Sequence, residues 1–325
     1  MAVMVTGGAG YIGSHMVHAL VDRGERVIVL DDLSTGFDAV LPEAAVLAVG
    51  SVGDEALVGS LIRQHGITAI AHFAGSIIVP ESVTDPLKYY LNNTVNSRAL
   101  IAAAVAGGVG SFLFSSTAAV YGEPDRAIID ETLPPAPVAP YGWSKLMTEI
   151  MLRDTAAAHG LRYAALRYFN VAGADPKGRT GQSTKDATHL IKIASQAALG
   201  VRSGMSVFGT DYPTRDGTCL RDYIHVADLI DAHVLALDHL IGGGESLVAN
   251  CGYGDGFSVL EVIDAVKRVS GVDFPVALAP RRAGDPSALI ADPSRIRATL
   301  GWTPRYQDLD TIVGHALAWE DTLRR

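Results

Sequence analysis

The chain has 325 residues, 48% of them hydrophobic and 19% charged, a composition typical of a globular protein and not of a disordered or fibrous one. Its net charge of −9 counts against nucleic acid as a partner, because a surface that follows phosphates needs a basic excess. Cys219 and Cys251 lack the spacing of a disulfide framework or of a zinc site, so we expect neither, and no bound metal.

The first half of the chain alternates β-rich runs with helical ones, a pattern typical of βαβ units around a parallel, doubly wound sheet. Strands are predicted at residues 2–6, 26–30, 67–74, 111–116 and 162–169, and helices at residues 11–23, 54–65, 86–106 and 141–158. After Asn170 the sequence becomes loop-rich, with one helix predicted near residues 187–199. We therefore expect one domain over residues 1–170 and a smaller α/β lobe over residues 171–325, from which segments could return to the first.

The N-terminal segment enters its first strand almost at once, without the basic start and apolar core of a secretion signal. The most apolar stretch, residues 99–114, is interrupted by GGVG and is too short to cross a bilayer as one helix. We therefore expect a cytoplasmic protein that does not associate with a membrane.

The stretch VTGGAGYIGSH, residues 5–15, places Gly7, Gly10 and Gly13 between the first strand and the first helix. Missing side chains permit a tight turn and let the backbone approach a pyrophosphate, while the N–H groups of the helix N-terminus face the anion. A tight turn without a ligand is the alternative. The strand-loop-helix context favours a dinucleotide and a Rossmann-type fold.

Asp31 and Asp32 follow the second strand, at the distance where an acidic residue reaches the ribose hydroxyls of adenosine. They favour NAD over NADP, because a 2′-phosphate would meet like charge and no arginine ends that strand. A solvated turn is the alternative for this pair.

Tyr141 and Lys145 stand at i and i+4 on a predicted helix, so both side chains lie on one face. A phenol titrates at about 10, and a nearby ammonium and a positively charged nicotinamide would both lower its pKa. Tyr141 is then a general base for a substrate hydroxyl. Ser115, Ser116 and Thr117 end a buried strand on the ligand side of the sheet, where Thr117 can pass a proton to Tyr141. The alternative for Tyr141 and Lys145 is a solvated helix face, and the alternative for the three hydroxyl residues is capping of the strand end.

Together these motifs resemble the extended short-chain dehydrogenase/reductase superfamily, and within it the UDP-glucose 4-epimerase family. The similarity extends from VTGGAGYIGSH through HFAG, FSSTAAVYGEP, PYGWSKLMTE and LRYFNVAGADP to FGTDYPTRDGTCLRDYIHVADL and APRRAGDP, which is nearly the whole chain. It implies an NAD-binding Rossmann domain, a nucleotide-sugar-binding second lobe and a homodimer. It also implies reversible oxidation of a UDP-sugar at C4 to a transient 4-keto sugar, with no net redox.

The resemblance implies a set of site residues in each lobe. Those for the cofactor are Gly7, Gly10, Tyr11, Ile12, Gly13, Asp31, Asp32, Ser51, Val52, Phe73, Ala74, Gly75, Asn93, Ser115, Tyr141, Lys145 and Tyr168. Those for the UDP-sugar are Thr117, Tyr141, Asn170, His189, Leu190, Val207, Phe208, Arg221, Tyr223, Arg282, Asp285 and Leu289. The residue types fit, because arginine binds a diphosphate bidentately and a carboxylate holds ribose hydroxyls.

Several positions depart from the family pattern. Thr117 replaces the usual serine and keeps its hydroxyl, whereas Ile77 stands where many members have lysine and removes a cofactor contact. Ser51 replaces an acid that grips adenine, although Asp54 is nearby. His189 replaces an asparagine of the UDP site and is equally compatible with a structural role. Leu289 occupies the position that limits space at the sugar C2, and its intermediate size leaves pentose and N-acetylhexosamine nucleotides open beside UDP-glucose and UDP-galactose.

Three other functions use the same motifs. A nucleotide-sugar 4,6-dehydratase needs an acid pair after the strand-end hydroxyl, where this chain has Ala118 and Ala119, and a UDP-glucuronate decarboxylase meets a related objection. A catalytically inactive NAD-sensing protein on this fold would usually lack Tyr141 or Lys145, both of which are present. The epimerase interpretation is therefore favoured.

Overall fold

The computed structural model describes residues 1–184, 188–282 and 285–324. The chain forms two compact units. The first consists of Met1–Gly122, Pro134–Arg167 and Ile230–Ala249, and the second of Glu123–Leu133, Tyr168–Leu229 and Asn250–Arg325. Each unit therefore contains a segment from the other side of residue 170, and the domain boundary at that residue stays a prediction.

The secondary structure follows the predicted order. The strands are β1 (Ala2–Thr6), β2 (Arg26–Asp31), β3 (Val46–Val49), β4 (Ala69–His72), β5 (Ser111–Thr117), β6 (Ile128–Ile129), β7 (Arg162–Tyr168), β8 (Asn170–Ala172), β9 (Met205–Phe208), β10 (Leu220–Arg221), β11 (Tyr223–His225), β12 (Leu247–Cys251), β13 (Phe257–Ser258), β14 (Val276–Ala279) and β15 (Ala288–Ala291). The α-helices are α1 (Tyr11–Asp22), α2 (Glu55–His65), α3 (Val79–Thr84), α4 (Pro86–Tyr89), α5 (Asn96–Ala106), α6 (Pro140–His159), α7 (Leu190–Ala198), α8 (Val226–Ile241), α9 (Val259–Ser270), α10 (Ser294–Leu300) and α11 (Leu309–Arg324). Short 3₁₀ turns occupy Asp38–Val40 and Ala118–Tyr121, and Tyr90–Val95 form a π-helical turn.

The central sheet has seven strands in the order β12-β7-β5-β4-β1-β2-β3, and β5, β4, β1, β2 and β3 run parallel to one another. The chain starts at β1, proceeds outward to β2 and β3, and then crosses back to β4 and β5. This confirms the predicted doubly wound α/β fold. The winding direction reverses between β1 and β4, and in such sheets a ligand binds at the carboxyl ends of the strands that flank this point.

The strands of this sheet are apolar runs because both faces are covered. All five residues of β1 are buried, and so is β2 after Arg26. Met4, Ile28, Ile70 and Phe112 belong to one buried cluster on the sheet. Continuous burial explains why these segments show no alternation of polar and apolar residues.

The helices begin and end at residues that the sequence marks. Asp54 caps α2 by accepting the N–H of Leu57 at 2.9 Å. Pro140 occupies the first turn of α6, and Gly160 ends that helix with a φ of 68°, a left-handed conformation that glycine adopts without strain.

One predicted helix, residues 86–106, is divided into α4, the π-helical turn and α5. Single π-helical turns frequently occur at functional sites, and this one contains Asn93. The helix predicted near residues 187–199 corresponds to α7, and residue 187 lies outside the described residues.

The second unit contains small sheets. One has the order β13-β10-β15-β6, and the others pair β11 with β8 and β14 with β9. The buried carboxylate of Asp222, between β10 and β11, accepts N–H groups from Tyr253 at 3.0 Å, Gly254 at 2.9 Å and Ala291 at 3.2 Å. Asp222 thereby ties the end of β15 to the segment that carries Arg221.

Candidate active site

The glycine loop joins β1 to α1 at the switch point of the sheet. Gly7 has a φ of 68°, and a Cβ there would lie 2.5 Å from the backbone nitrogen of Ala74. A Cβ at Gly13 would overlap the carbonyl oxygen of Gly7, so α1 packs directly on the loop. Among the described residues no side chain caps α1 at Gly10, and its first turn has no acidic residue. These residues fit the pyrophosphate of NAD, because the backbone is open to close approach and the helix N-terminus attracts an anion.

The two aspartates after β2 have different environments. Asp31 is buried, and its carboxylate accepts the N–H groups of Ala9 and Leu33, each at 2.9 Å. Burial raises the pKa of Asp31, and these two donors oppose the rise. Asp32 is exposed and accepts the backbone N–H of Ser34 at 3.0 Å. Asp31 thus also braces the glycine loop against the end of β2, a role that the sequence did not indicate.

The segment after β3 is where adenine contacts were predicted. Val52 is buried, whereas Ser51 is exposed and its hydroxyl accepts the N–H of Gly53 at 3.1 Å. The carboxylate of Asp54, the nearby acid, accepts the N–H of Leu57 at the start of α2. Asp54 therefore caps a helix, and this bond uses one of its two carboxylate oxygens.

Asn93 is a clamp in the first unit. Its side-chain oxygen accepts the N–H of Ser76 at 2.7 Å, and its amide donates to the Ser76 carbonyl and to the Ser144 hydroxyl, both at 3.0 Å. A Cβ at Gly75 would lie 2.9 Å from the Asn93 oxygen and 3.6 Å from Nζ of Lys145. Gly75 therefore leaves the space in which the predicted residues Asn93 and Lys145 come together.

Four further predicted cofactor residues have the following positions. Tyr11 and Ile12 form the first turn of α1. The Phe73 ring follows β4 and lies 5.1 Å from the His233 ring, between centroids. Tyr168 is half-buried and is the last residue of β7.

The structure brings Tyr141 and Thr117 together. Tyr141 lies in the first turn of α6 and is almost fully buried, and Thr117 ends β5. Burial raises the pKa of Tyr141, and a side-chain hydrogen bond with Thr117 opposes this rise. The sequence-based expectation of a lowered pKa is therefore not met by the protein's own groups, because desolvation is the largest effect.

Lys145 lies one helical turn after Tyr141. Its Nζ donates to the carbonyl oxygen of Ser115 at 3.0 Å and lies 5.1 Å from the ring centroid of Phe114. Burial lowers the pKa of Lys145 to about 8. The ammonium of Lys145 is thus fixed to Ser115 at the end of β5, and Ser115 directly precedes Ser116 and Thr117.

His72, at the end of β4, was missed as a site residue. Its Nδ1 lies 2.7 Å from the Thr6 hydroxyl and its Nε2 lies 2.8 Å from the Ser97 hydroxyl. Ser97 donates its only hydroxyl proton to the carbonyl of Asn93 at 2.6 Å, so Nε2 must donate and Nδ1 must accept. This chain links the strand before the glycine loop to the π-helical turn. Only its place in the HFAG motif could have indicated it.

In the second unit, Arg221 and Asp285 lie together. One Arg221 nitrogen donates to the Leu220 carbonyl at 2.8 Å, and another lies 3.4 Å from the Asp285 carboxylate. Leu289 is half-buried on β15, in register with Arg221 on the parallel neighbour β10. The predicted diphosphate, ribose and sugar-specificity residues therefore share one small sheet and its adjoining loop.

Asn170 and Tyr223 form a second pair in this unit. They are aligned on the parallel strands β8 and β11, and their side chains are hydrogen-bonded. The backbone N–H of Asn170 donates to the carbonyl of Asp222 at 3.0 Å. Burial raises the pKa of Tyr223, so this tyrosine is a neutral hydrogen-bonding group.

Two more predicted residues lie on β9. The guanidinium of Arg282 stacks on the ring of Phe208, with 3.9 Å from its central carbon to the ring centroid. Val207 is fully buried, and its predicted contact with the nucleotide stays a prediction. Arg282 and Phe208 together form a cationic and aromatic surface, which suits a nucleotide.

His189 and Leu190 start α7. The His189 Nδ1 lies 3.4 Å from the Gln182 amide nitrogen, and burial lowers the pKa of His189, with a smaller contribution from Lys192. These contacts agree with the structural alternative for His189, and its predicted UDP contact stays a prediction.

We also searched the described residues for metal-binding clusters and membrane-spanning helices. Among residues 1–184, 188–282 and 285–324, no group of three histidine, cysteine or acidic side chains could hold a metal ion. Within the same ranges no helix combines the length and hydropathy that crossing a membrane requires. Cys219 and Cys251 are both buried as free thiols.

Comparison with known proteins shows which family the sequence matches. A sequence model of the "NAD dependent epimerase/dehydratase family" matches residues 3–252. A UDP-glucose 4-epimerase of Azospirillum brasilense is 57% identical over 323 residues, which cover 99% of this chain and 93% of the relative.

Solved structures show the same similarity. The UDP-glucose 4-epimerase of Brucella ovis in complex with NAD has a TM-score of 0.95 and 45% identity, covering 97% of each chain. The enzyme of Stenotrophomonas maltophila with bound NAD and formylated UDP-arabinopyranose has a TM-score of 0.96 and 39% identity, covering 100% of this chain and 99% of the other.

Proposed function

The chain belongs to the NAD dependent epimerase/dehydratase family, and from this premise we infer that it is an NAD-dependent enzyme that inverts C4 of a UDP-sugar. It interconverts UDP-galactose and UDP-glucose through a transient 4-keto sugar, with no net redox. The observation that carries this proposal is the arrangement of α6 on β5, where Tyr141 is hydrogen-bonded to Thr117 and Lys145 is anchored on Ser115.

We propose that the first unit provides the catalytic groups. Tyr141 takes the proton of the sugar 4-hydroxyl and returns it after the ketone is reduced. Thr117 bonds both the reacting oxygen and the phenol, and Lys145 supplies positive charge beside β5. NAD, when bound, would accept the hydride from C4 of the sugar and later return it. The glycine loop, Asp31 and the Asn93 clamp hold that cofactor.

We propose that the second unit anchors the UDP. Arg221 and Arg282 suit the diphosphate, because arginine forms paired, charge-assisted hydrogen bonds with phosphate oxygens. Asp285 suits the ribose hydroxyls, and Asn170 and Tyr223 supply neutral hydrogen-bonding groups. Firm binding of UDP leaves the pyranose free to turn, which inversion at C4 requires because hydride must return to the opposite face of the ketone.

Dehydration, the other activity in the family's name, receives no support. It needs an acid and a base beside the strand-end hydroxyl to eliminate water from the sugar. Ala118 and Ala119 follow Thr117 in a 3₁₀ turn, and neither side chain can transfer a proton. These two positions therefore supply neither the acid nor the base of a dehydration.

We propose UDP-glucose and UDP-galactose as the preferred pair, with Leu289 as the residue that sets the sugar range. Its half-buried side chain, in register with Arg221, is of intermediate size, so partial acceptance of N-acetylhexosamine and pentose nucleotides is expected. The enzyme would act in galactose metabolism in the cytoplasm, a reducing compartment that suits two free cysteines.

We propose that the protein is a homodimer. Leu87, Leu91 and Val95 recur every fourth residue along α4 and the π-helical turn, with 77%, 57% and 49% exposure. Three side chains of α6 are also exposed and apolar: Trp143, Met147 and Ile150. A second copy of the chain is the occupant that the family resemblance implies for this stripe. The alanine-rich face of α5 packs in the monomer core instead.

The function is tested with UDP-galactose and purified protein, without added NAD, by quantifying UDP-glucose with NMR. The expected result is a mixture of both nucleotides and no net NADH. Product that forms only after NAD is added would assign a weak cofactor grip to Ser51 and Ile77. Absence of product with UDP-galactose, UDP-xylose and UDP-N-acetylglucosamine, with NAD present, would refute the proposal.

A pair of tyrosine variants tests the catalytic assignment. Tyr141→Phe should lower turnover by about 100-fold or more, the usual contribution of a general base, while the bound NAD content stays unchanged. Tyr163→Phe, at another buried tyrosine of the first unit, should keep wild-type turnover. Equal turnover in both variants would contradict the role of Tyr141.

A further inference from the structure

Three side chains of α6 reach three successive residues at the end of β5. Tyr141 is hydrogen-bonded to the side chain of Thr117, and Lys145 donates to the carbonyl of Ser115. The third, Glu149, accepts the hydroxyl proton of Ser116. The spacing of four residues between them places all three on one face of α6. Two of these contacts belong to the catalytic groups, and the third has no role in the mechanism above.

The Glu149 contact is part of a buried ion pair. Besides Ser116, its Oε1 accepts Nε of Arg167 at 3.0 Å, and its Oε2 accepts Nη2 of Arg167 at 2.6 Å. The two charged side chains are only 6% and 7% exposed. This bidentate geometry fixes the position of the carboxylate, and hence of Ser116, more strictly than a single hydrogen bond would.

Arg167 extends the contact to the other end of the same segment. Its Nη1 donates to the Tyr121 hydroxyl at 3.0 Å, and its guanidinium lies 5.0 Å from the Tyr121 ring centroid. Residues 116 and 121 are therefore both held by one ion pair. Thr117 and the 3₁₀ turn lie between them, so the position of the Thr117 hydroxyl depends on this pair.

Stability alone does not explain the ion pair. Desolvation of two charges offsets much of their attraction, and apolar side chains of similar volume often replace such pairs with little loss of stability. Geometry is what the apolar replacement would lose, because methyl and methylene groups cannot fix the Ser116 hydroxyl or the Tyr121 phenol.

We propose that Glu149 and Arg167 are positioning residues that hold Thr117 in hydrogen-bonding register with Tyr141. This inference rests on the proposed function, in which Tyr141 and Thr117 act on the sugar 4-oxygen. Misplacing a catalytic group by about 1 Å can cost about 100-fold in rate. The pair therefore affects turnover, and leaves binding of the nucleotide sugar unchanged.

The test is the double variant Glu149→Met/Arg167→Met, assayed as holoenzyme with UDP-galactose. We expect wild-type NAD content and KM, with kcat lower by about 10- to 100-fold. The acid limb of the kcat–pH profile should also move to higher pH, because the Thr117 hydrogen bond that lowers the pKa of Tyr141 is weakened. A structural role alone would move neither kcat nor the profile.

The matched control is Lys192→Met/Glu320→Met, which removes an ion pair of the second unit with 7% and 8% exposure. It should lower kcat by less than twofold. A Glu149/Arg167 variant that keeps kcat within twofold of wild type would overturn the proposal. If the Glu149/Arg167 variant does not fold, Ser116→Ala replaces it in the test, because this change removes only the hydrogen bond between β5 and Glu149. A kcat of Ser116→Ala within twofold of wild type would likewise overturn the proposal. Inactive wild-type enzyme would instead refute the proposed function.

Discussion

Replacement of His72 by asparagine should flatten the acid dependence of the unfolding free energy. The His72 ring is 1% exposed and accepts the Thr6 hydroxyl proton while it donates to Ser97. In this neutral form both buried ring nitrogens are hydrogen-bonded. Burial, with the nearby charge of Lys145, lowers the pKa of His72 to about 3. In an unfolded chain a histidine titrates at about 6.5.

The magnitude follows from the difference between these two pKa values. Between about pH 6.5 and about pH 3 the unfolded chain binds a proton at His72 and the native protein does not. The stabilisation is complete above the unfolded value and is lost as the pH falls towards the native one. Each pH unit well inside this window costs about 1.4 kcal/mol, and because the unfolded histidine is only half protonated at pH 6.5, the loss between pH 6.5 and about pH 4.5 is about 2 kcal/mol.

The assay is urea unfolding of wild type and His72→Asn at both pH values. Protein concentration is held constant, because the stability of the proposed dimer would depend on it. Asparagine keeps an acceptor for Thr6, and the variant should lose about 2 kcal/mol less than wild type on acidification. His159→Asn, which removes an exposed histidine at the end of α6, should behave like wild type. Equal losses in wild type and His72→Asn would refute the reasoning.

Three further predictions concern the cofactor loop, the apolar stripe and the anion site. Gly7→Ala should abolish NAD retention after gel filtration, because the new Cβ would meet the backbone of residue 74. The control is Gly24→Ala, which has a similar φ of 78° but open space around it. This control should retain NAD and lower the unfolding free energy by about 1 kcal/mol. Leu87→Glu should yield monomers by sedimentation velocity, while Val201→Glu, at another exposed apolar residue that lies outside the stripe, should stay dimeric. A dimeric Leu87→Glu would remove the stripe as the interface. Arg221→Gln should raise KM for UDP-galactose by about 10- to 100-fold with unchanged NAD content, the loss expected for a charge-assisted bond to phosphate, and an unchanged KM would exclude Arg221 from the anchor.

The elements that sequence predicts best are those whose cause is local. Gly13 is required by its close approach to Gly7 within one strand-loop-helix unit, and the left-handed φ of Gly7 belongs to the same loop, so the glycine spacing alone indicates the turn. The close approach of Gly7 to the backbone of Ala74, after β4, is not local. Tyr141 and Lys145 share a helix face by periodicity. Strands such as β1 are recognisable because burial on both faces demands a continuous apolar run.

The residues that sequence missed have distant partners. His72 contacts residues 66 and 25 positions away, and Glu149 contacts Ser116 33 positions away. Nothing in the local pattern distinguishes a glutamate that faces solvent from one that lies under a strand. Asp54 is a residue whose position in the sequence suggested a role that its contact does not support. It is close to Ser51 in sequence, which suggested that it could replace the missing acid at adenine, whereas its carboxylate caps the N-terminus of α2.

Burial has opposite effects on Tyr141 and Lys145, the proposed catalytic pair. It raises the pKa of Tyr141 and lowers that of Lys145, so both groups are pushed towards their neutral forms. A phenol that must act as a base then depends on every contact that favours the phenolate. Within the described chain the Thr117 hydrogen bond is such a contact, and each pKa unit that it recovers is worth about 1.4 kcal/mol. In the proposed mechanism, holding Thr117 in register is therefore an energetic requirement, and this is the role that we propose for the buried ion pair that fixes the segment on both sides of it.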